Sequence, residues 1–569
     1  MTTVVEKTPT GTIYRAAKDY PIPDLDVLTL LFDSEHSYAK ANTLLHVSAA
    51  NPDLDVLDKS RARTLTQATS AALRKHFGIG AHGASKDVVS VISTGHYLLP
   101  VLAYGVIGAG GIFSAASAGS TVGELARQIQ GAGSKILVTC QATLETSIRA
   151  AEEAGWGKCG GERVLLMSEE GEWGLRIIGT GDDDGKAQES GNLVDVEDRL
   201  PWMRIVDRKE LEESLVVLIY SSGTTGLPKG VKLSHRNLVS QAVTTGDMMK
   251  SWIKEKRPDF EYRTIARVQG YLINPFYIGG TVYWMPKFDF SQFLAYNAQY
   301  RITFFFTVPP IYLLIAKSPL ATTQFATLEL AISGAAPLGK DLQYAASQKF
   351  GSGPDCFIDQ TWGLSETTGS TTIMPPGTHD DTGSVAPLIP NMRARLVDDS
   401  GDDVEPGTPG EVLVKGPVVC KGYYQNADAN KDAFTSDGWF CTGDIAVFRN
   451  GLFYVVDRKK ELIKYKGLQV APAELEALLL GHPDILDAAV IGVPTDDGTN
   501  EVPRAYVVVG DRGKTGADEI VQFVKENVAG YKQLRGGVIF LDEIPKSPAG
   551  KILRKDLRAR AERERGAKL

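Results

Sequence analysis

The sequence predicts an α/β protein in two parts, a large N-terminal domain of layered α/β subdomains and a smaller α+β domain at the C-terminal end. Three observations lead there. The 569 residues exceed what one hydrophobic core usually holds, and the 43% hydrophobic content is that of a soluble globular chain. Apolar runs alternate with helical patterns over most of the length, which is how parallel βαβ layers read. At Asp457-Arg-Lys-Lys460 a strand meets a charge cluster, and a segment of different texture follows.

Taken in order, the first clear elements fall between Val88 and Gly123, a stretch without Asp, Glu, Lys or Arg. Its length alone would permit a membrane span. Its glycines, serines and Pro100 divide it instead into a strand (Val88 to Ile92), a helix (Tyr97 to Ile107) and a strand (Gly111 to Ala116), so a buried α/β unit is expected and no transmembrane segment. Lys135-Ile-Leu-Val-Thr139, Arg163-Val-Leu-Leu-Met167, Val216 to Tyr220 and Thr303 to Val308 read as further strands. Gly179 to Gly191 is acidic and poor in residues that pack, and reads as a surface loop. Beyond the strand Gly451 to Val456 come a helix opened by Pro472 and strands at Ile485 to Val493 and Ala505 to Val509. Helices at Asp518 to Val528 and Lys551 to Arg565 complete the chain. No internal repeat is present.

Composition excludes several classes of function. A net charge of -8 and the lack of any basic arm argue against nucleic acid. The five cysteines are odd in number, scattered and without Cys-x-x-Cys spacing, so neither a disulfide framework nor a zinc site is indicated, and a reducing compartment is expected. The first ten residues lack the basic and apolar regions of a secretory signal, and the mature chain is expected to begin near Met1.

Most informative is Val216-Val-Leu-Ile-Tyr-Ser-Ser-Gly-Thr-Thr-Gly-Leu-Pro-Lys-Gly230, an apolar strand running into a loop of hydroxyls and glycines that ends in one lysine. Glycine lets the backbone approach a ligand closely, so that successive N–H groups and the Ser221, Ser222, Thr224 and Thr225 hydroxyls converge on phosphate oxygens. Gly223 and Gly226 supply the freedom, and Lys229 the compensating charge. No register lays a Walker A pattern on this loop, which disfavours P-loop ATPases and GTPases. Taken alone, such a loop also reads as a solvated turn.

Further motifs overturn that reading. They are Ser333-Gly-Ala-Ala-Pro-Leu-Gly339, Gln360-Thr-Trp-Gly-Leu-Ser-Glu366, Gly438-Trp-Phe-Cys-Thr-Gly-Asp444, Asp457-Arg-Lys-Lys-Glu-Leu-Ile-Lys-Tyr-Lys-Gly467 and Pro545-Lys-Ser-Pro-Ala-Gly-Lys551. In their order and spacing they resemble the ANL adenylate-forming superfamily, in the branch of 4-coumarate-CoA ligase, fatty acyl-CoA synthetases and firefly luciferase. The likeness covers nearly the whole chain.

The resemblance implies an ATP- and Mg²⁺-dependent acid:CoA ligase that activates a carboxylic acid as acyl-AMP and passes the acyl group to the CoA thiol. It divides the chain into an AMP-binding (adenylation) domain at 1–457, a hinge at 458–460 and a mobile C-terminal domain at 461–569. Lys551 matches the adenylation lysine that bridges the carboxylate and the α-phosphate, where preorganised charge is usually the largest catalytic term. Glu366 matches the magnesium ligand, with Thr225 and Ser365 reaching phosphate or metal-bound water; a hard carboxylate oxygen suits Mg²⁺. Asp444 would hold the ribose and Arg458 the ribose or phosphate. Gly334, Ala335, Gln360, Thr361, Trp362 and Gly363 would complete the nucleotide site. Lys460 takes the hinge position, and rotation about it would exchange the Lys551 loop for that of Lys464, with Lys466 and Gly467 beside the pantetheine arm.

The acyl pocket departs from the pattern. Members often carry a tunnel histidine, but this chain has none from Arg236 to Thr378. Counting back from Pro275 puts Arg263 in its place, which reads either as a pocket residue facing a substrate anion or as a surface arginine. Ile332, Ser333, Gly334 and Trp362 are the other expected pocket residues. Ile332 stands where several 4-coumarate ligases carry a polar or basic side chain, and Thr367 to Ser370 also differs, so hydroxycinnamate specificity is not carried over. Two competing functions remain at this point: an acyl-AMP ligase loading a carrier-protein thiol, and a non-catalytic acyl- or nucleotide-binding homologue. Ala567-Lys568-Leu569 resembles the Ser-Lys-Leu type of address read by the peroxisomal import receptor. A peroxisomal location is expected on that basis, and otherwise a cytoplasmic one.

Overall fold

The computed structural model describes residues 2–8, 11–168, 172–180, 187–221, 228–266, 271–351, 356–466, 468–495, 500–510, 515–547 and 550–566. Among these, the largest sheet has eight strands, with Val88–Ile92 and Ile112–Ala116 near its middle. These two strands pair in parallel, Val88 opposite Ile112, as the apolar stretch predicts. The helix between them is Leu99–Gly108, shifted from the expected bounds because Pro100 sits in its first turn. Its glycines are there for packing. A Cβ on Gly105 would stand 2.5 Å from Thr69 Cγ2, and one on Gly108 2.5 Å from Ser70 Oγ, both on the helix Lys59–Phe77. No helix among the described residues is long and apolar enough to cross a membrane.

The expected parallel layering holds in the centre and fails at the edges of this sheet. Leu215–Ser221 pairs in parallel with Ile112–Ala116 but antiparallel with Lys229–Ser234, because the seven residues between the last two are too few for the crossover that a parallel pair needs. At the opposite edge Leu175–Thr180 and Ala187–Glu189 pair antiparallel. The acidic segment read as a surface loop from 179 to 191 is therefore partly strand; its residues 181–186 lie outside the described set.

Two smaller sheets frame the site. Phe304–Thr307, Leu330–Ser333 and Ile358–Gln360 form a parallel set in strict register, so that Phe306, Ile332 and Asp359 make one row and Thr307, Ser333 and Gln360 the next. A six-stranded antiparallel sheet ends in Phe440–Arg449 and Leu452–Arg458, with Asp444 opposite Arg458. The strand thus carries Arg458 one residue past the boundary expected at 457.

The C-terminal part has its own core, with Ile463, Leu475, Leu479, Val490 and Ile520 buried in it. Its helices Pro472–Leu480 and Ala517–Asn527 and its strands Ile485–Pro494 and Glu501–Val509 follow the sequence closely. The last helix begins at Arg554 rather than Lys551, since the Lys551 carbonyl is taken by the Ser547 amide. Glu476, fully enclosed, accepts two 2.7 Å bonds from Arg554 and one of 2.8 Å from the Val490 amide, which ties that helix to the domain. All five cysteines are free thiols.

Candidate active site

Ser221 and Lys229 stand opposite each other in register, at the two ends of segment 222–227. Ser222, Gly223, Thr224, Thr225 and Gly226 lie outside the described residues, as do Gly467 and Ala567-Lys568-Leu569. Ser221 Oγ donates to Glu366 Oε1 at 3.2 Å, and Tyr423 Oη donates to the same oxygen at 2.9 Å. The Glu366 carbonyl accepts the Cys420 amide at 2.7 Å. Lys229 Nζ lies 4.9 Å from the centre of the Tyr423 ring. Burial, followed by the Glu366 charge, drives the Tyr423 phenol well above its ordinary range, so it stays protonated and donating. Sequence reading missed Tyr423; the run Gly422-Tyr423-Tyr424 was its signal.

Glu366 sits in the turn Ser365–Thr367 between the short strands Gly363–Leu364 and Gly369–Ser370. These cross so closely that a Cβ on Gly363 would lie 1.9 Å from the Gly369 carbonyl oxygen. Only glycine fits there.

Asp444 is 4% exposed, and Arg458 Nε pairs with its Oδ1 at 3.2 Å while Trp362 Nε1 donates to Oδ2 at 2.8 Å. Desolvation raises its carboxyl pKa, opposed by Arg458, the Trp362 bond and Lys551. Lys551 is the finding that joins the two domains. Its ammonium stands in the open cleft, reached by solvent yet walled by protein, and its charge acts on Asp444 and Glu366. Burial and then the Arg458 charge lower its pKa.

Two hydrogen bonds tie Lys551 to Ser547: the Ser547 amide donates to the Lys551 carbonyl at 2.8 Å, and the Lys551 amide to Ser547 Oγ at 3.2 Å. Gly550 lies against the N-terminal domain, where an added Cβ would come within 3.2 Å of Pro310. Gly339 makes a second close approach, 3.1 Å from its Cβ position to that of Ala477. Lys464 and Lys466 are elsewhere. Their hairpin is held by Glu501 and Asn500, and the Lys464 charge falls on Asp399. Lys460 is exposed in the link between the domains, which turns at once, the Glu461 and Leu462 amides both donating to the Arg458 carbonyl.

Other expected residues hold the site's shape. Gln360 spends its amide on the Leu338 backbone, accepting its N–H at 2.9 Å and donating to its carbonyl at 3.0 Å, so its side chain positions the 334–338 loop. Thr361 ties its hydroxyl to the Thr372 carbonyl. Ala335 adopts φ +73°, a strained conformation for a residue with a Cβ. Gly334 lies between Thr361 and Phe306, where a Cβ would be 3.0 and 3.1 Å from them.

Beside this cluster opens a largely apolar cavity of about 460 Å³, walled by Tyr262, Tyr271, Phe304, Phe306, Ile332 and Met248 among others. Such a volume holds an aryl or medium-chain acyl group. Ile332 lines it as expected; Ser333 and Trp362 flank the nucleotide side and are not on its wall. Arg263 is a correction. It opens the strand Arg263–Ala266, pairs with Glu261, and lines a polar cleft with Arg257 and Arg301 that shares Leu330 and Asp359 with the apolar cavity. Thr264 and Ala266 alternate to the buried side, and Arg263 to the other. Its neighbour Tyr262 lines the apolar cavity, as do Tyr271, Leu272 and Ile273 further on, so the counted segment does reach the pocket but Arg263 itself faces away from it.

Comparison with known proteins agrees with this geometry. The family model for AMP-binding enzymes matches residues 53–424, and that for the AMP-binding enzyme C-terminal domain matches 474–551. An Emericella nidulans protein assigned as an acyl-coenzyme A synthetase is 46% identical, covering 98% of this chain and 100% of the relative. A phenylacetyl-CoA ligase of Aspergillus niger is 33% identical over 94% of this chain and 96% of its own. Among solved structures, ATP-bound MatB from Rhodopseudomonas palustris superposes with a TM-score of 0.77 at 26% identity, over 94% of this chain and 98% of that one.

Proposed function

The chain belongs to the AMP-binding enzyme family and is an ATP-dependent acid:CoA ligase working through acyl-AMP; on that premise we propose which residues carry each step. The observation that carries the assignment is the meeting of Glu366, Asp444, Arg458 and Lys551 at the domain seam, beside an apolar cavity. In the first step a carboxylate oxygen attacks the α-phosphorus of ATP, forming the acyl–O–P bond and expelling pyrophosphate. Lys551 offsets the negative charge of the two groups as they meet, as a cation already held in place beside them. Asp444 and Arg458 orient the nucleotide, with Trp362 holding the Asp444 carboxylate. Ser221 and Lys229, opposite each other in register, would reach the phosphates.

The donor set suits Mg²⁺ held by one carboxylate. Both hydrogen bonds to Glu366 fall on Oε1, which leaves Oε2 as a hard oxygen ligand, and no cluster of three or more His, Cys, Asp or Glu that could hold a metal occurs among the described residues. Such an ion, completing its shell with phosphate oxygens and water, supplies charge neutralisation to the leaving pyrophosphate.

In the second step the CoA thiol attacks the acyl carbonyl, AMP departs and the thiol proton is released to solvent. None of the five cysteines takes part. Rotation about Lys460 would withdraw Lys551 and present Lys464 and Lys466 for this step. The Ala567-Lys568-Leu569 tripeptide supports import into peroxisomes; a diffuse signal from an N-terminal fluorescent fusion, unchanged by deleting the tripeptide, would reject it.

The function is tested by a pyrophosphate-release screen of aliphatic, aryl and dicarboxylic acids, with and without CoA, followed by mass spectrometry. Acyl-CoA from an apolar acid is the expected product. Adenylate without thioester would point to a carrier-protein acceptor, and no pyrophosphate with any acid would overturn the assignment.

A further inference from the structure

The helix Pro309–Lys317 meets the C-terminal domain at both of its ends. At its start Pro310 abuts Gly550, the neighbour of Lys551, so closely that an added Cβ would stand 3.2 Å away. At its end the Lys317 ammonium donates to the Ile485 carbonyl, across 168 positions of sequence. Asp484, one residue earlier, sets a negative charge near that ammonium. The two points are about 10 Å apart along the helix axis. One point of contact would let the domain pivot, whereas two fix its orientation. The helix is itself tied to the site, since the buried Tyr312 donates at 3.0 Å to the carbonyl of Ile332, a residue of the acyl cavity wall.

Ile485 opens the strand Ile485–Pro494, and this strand carries the Lys551 segment at both ends. Before Lys551, Lys546 pairs with Asp487 Oδ2 at 2.6 Å. After it, Arg554 Nε donates to the Val490 carbonyl at 3.3 Å, and Glu476, bonded to the Val490 amide, accepts from the same guanidinium. A hold on Ile485 is therefore a hold on the base of the Lys551 loop. Because that strand binds Ile485 and Lys551 into one body, a rotation about Lys460 that withdraws Lys551 from Asp444 also parts Ile485 from Lys317. A contact made in one orientation only shifts the population toward that orientation, by no more than its own free energy.

We propose that Lys317 is a positioning residue for adenylation: its hydrogen bond to the Ile485 carbonyl holds the C-terminal domain in the orientation that puts Lys551 at the site, and so sets how the chain divides between its two half-reactions. This rests on the ligase assignment above and adds to it a residue outside every motif of the sequence. The effect has a direction. Loss of the bond disfavours the first step, which needs Lys551 in place, and does not hinder the second, which needs it withdrawn.

The test separates the half-reactions in the full chain, with octanoate and phenylacetate as probe acids. Pyrophosphate release in a single turnover without CoA reads the first, and thioester formation on adding CoA to enzyme preloaded with acyl-adenylate reads the second. Lys317→Ala should slow the first about tenfold, as for one hydrogen bond to a charged group, and leave the second unchanged or faster. Lys317→Arg, which keeps a cationic donor, should recover most of the loss. Cross-linking reports the orientation without turnover: Gly339→Cys with Ala477→Cys puts two Cβ positions within disulfide reach, and adding Lys317→Ala should slow bridge formation by a similar factor. Equal slowing of both half-reactions, an unchanged first step, or bridging at the unaltered rate would overturn the inference and leave the ligase assignment standing. Slower bridging in a chain that releases no pyrophosphate with any acid would keep Lys317 as the residue that sets domain orientation and reject the ligase assignment.

Discussion

The charged seam and the apolar cavity adjoin, yet they are built in opposite ways. At the seam, Glu366, Asp444, Arg458 and Lys551 come from four motifs and meet because two domains close on each other. The cavity wall draws scattered residues from a helix, two sheets and the segment after Arg263–Ala266, and apart from Val217 and Ile219 in the strand before the phosphate loop and Ile332 at the edge of a motif, the motifs supply little of it. Chemistry common to any carboxylic acid is thus separated from the surface that reads which acid is present. Each can be changed without the other.

Replacing Lys551 by Ala should give the largest effect, a loss of about 10²–10³ in the rate of acyl-adenylate formation, as for removal of one preorganised charge. The test of the contrast is that acid ranking, measured on the residual rate, stays as in the wild type; a reordered ranking would place Lys551 in the pocket. Next comes Asp444→Ala. It removes a carboxylate that both Arg458 and Trp362 hold. Hydrogen bonds to a charged group contribute about 1.5–3 kcal/mol, so KM for ATP should rise by roughly 10- to 150-fold with KM for the acid little altered.

Asp359 offers a readout from the cavity side that does not involve turnover. Its folded pKa of about 8 lies above the ordinary carboxylate value, so the folded state binds the proton more tightly than the unfolded one. Stability from this group is fully present below about pH 4 and is lost as pH rises toward 8. Asp359→Asn has no such proton, so its Tm relative to wild type should increase from pH 5 to pH 8. A difference that does not vary with pH would show the carboxyl to be ionised throughout. The smallest effect belongs to Arg263→His: its ion pair with Glu261 is partly exposed and lines the other cleft, so kcat/KM should change by less than about twofold, with no change in acid ranking.

Motif order gave the catalytic groups and the two-domain plan from sequence alone because each motif is a continuous run whose backbone shape and side-chain chemistry are bound together. Gly363 is legible as a glycine in a motif, and the structure adds that a strand crossing leaves no room for a Cβ. That the Gln360 side chain clamps Leu338 was not legible, since a side chain's partner across a loop is not written in its neighbours. The Arg263 assignment failed for a related reason. Gapped counting fixes position along the chain but not the strand's end or its face, and a shift of one residue turns a side chain from one side of a strand to the other.

By itself, then, the sequence determined the reaction, the nucleotide-binding motifs and the apolar α/β core, all of which depend on local runs. The tertiary structure decided that Lys551 rather than Lys464 stands at Asp444, and that Gln241 and Asp359 share a cavity. Gln241 and Asp359 are 118 positions apart, on a helix and a parallel strand, and only the tertiary fold brings both to one cavity.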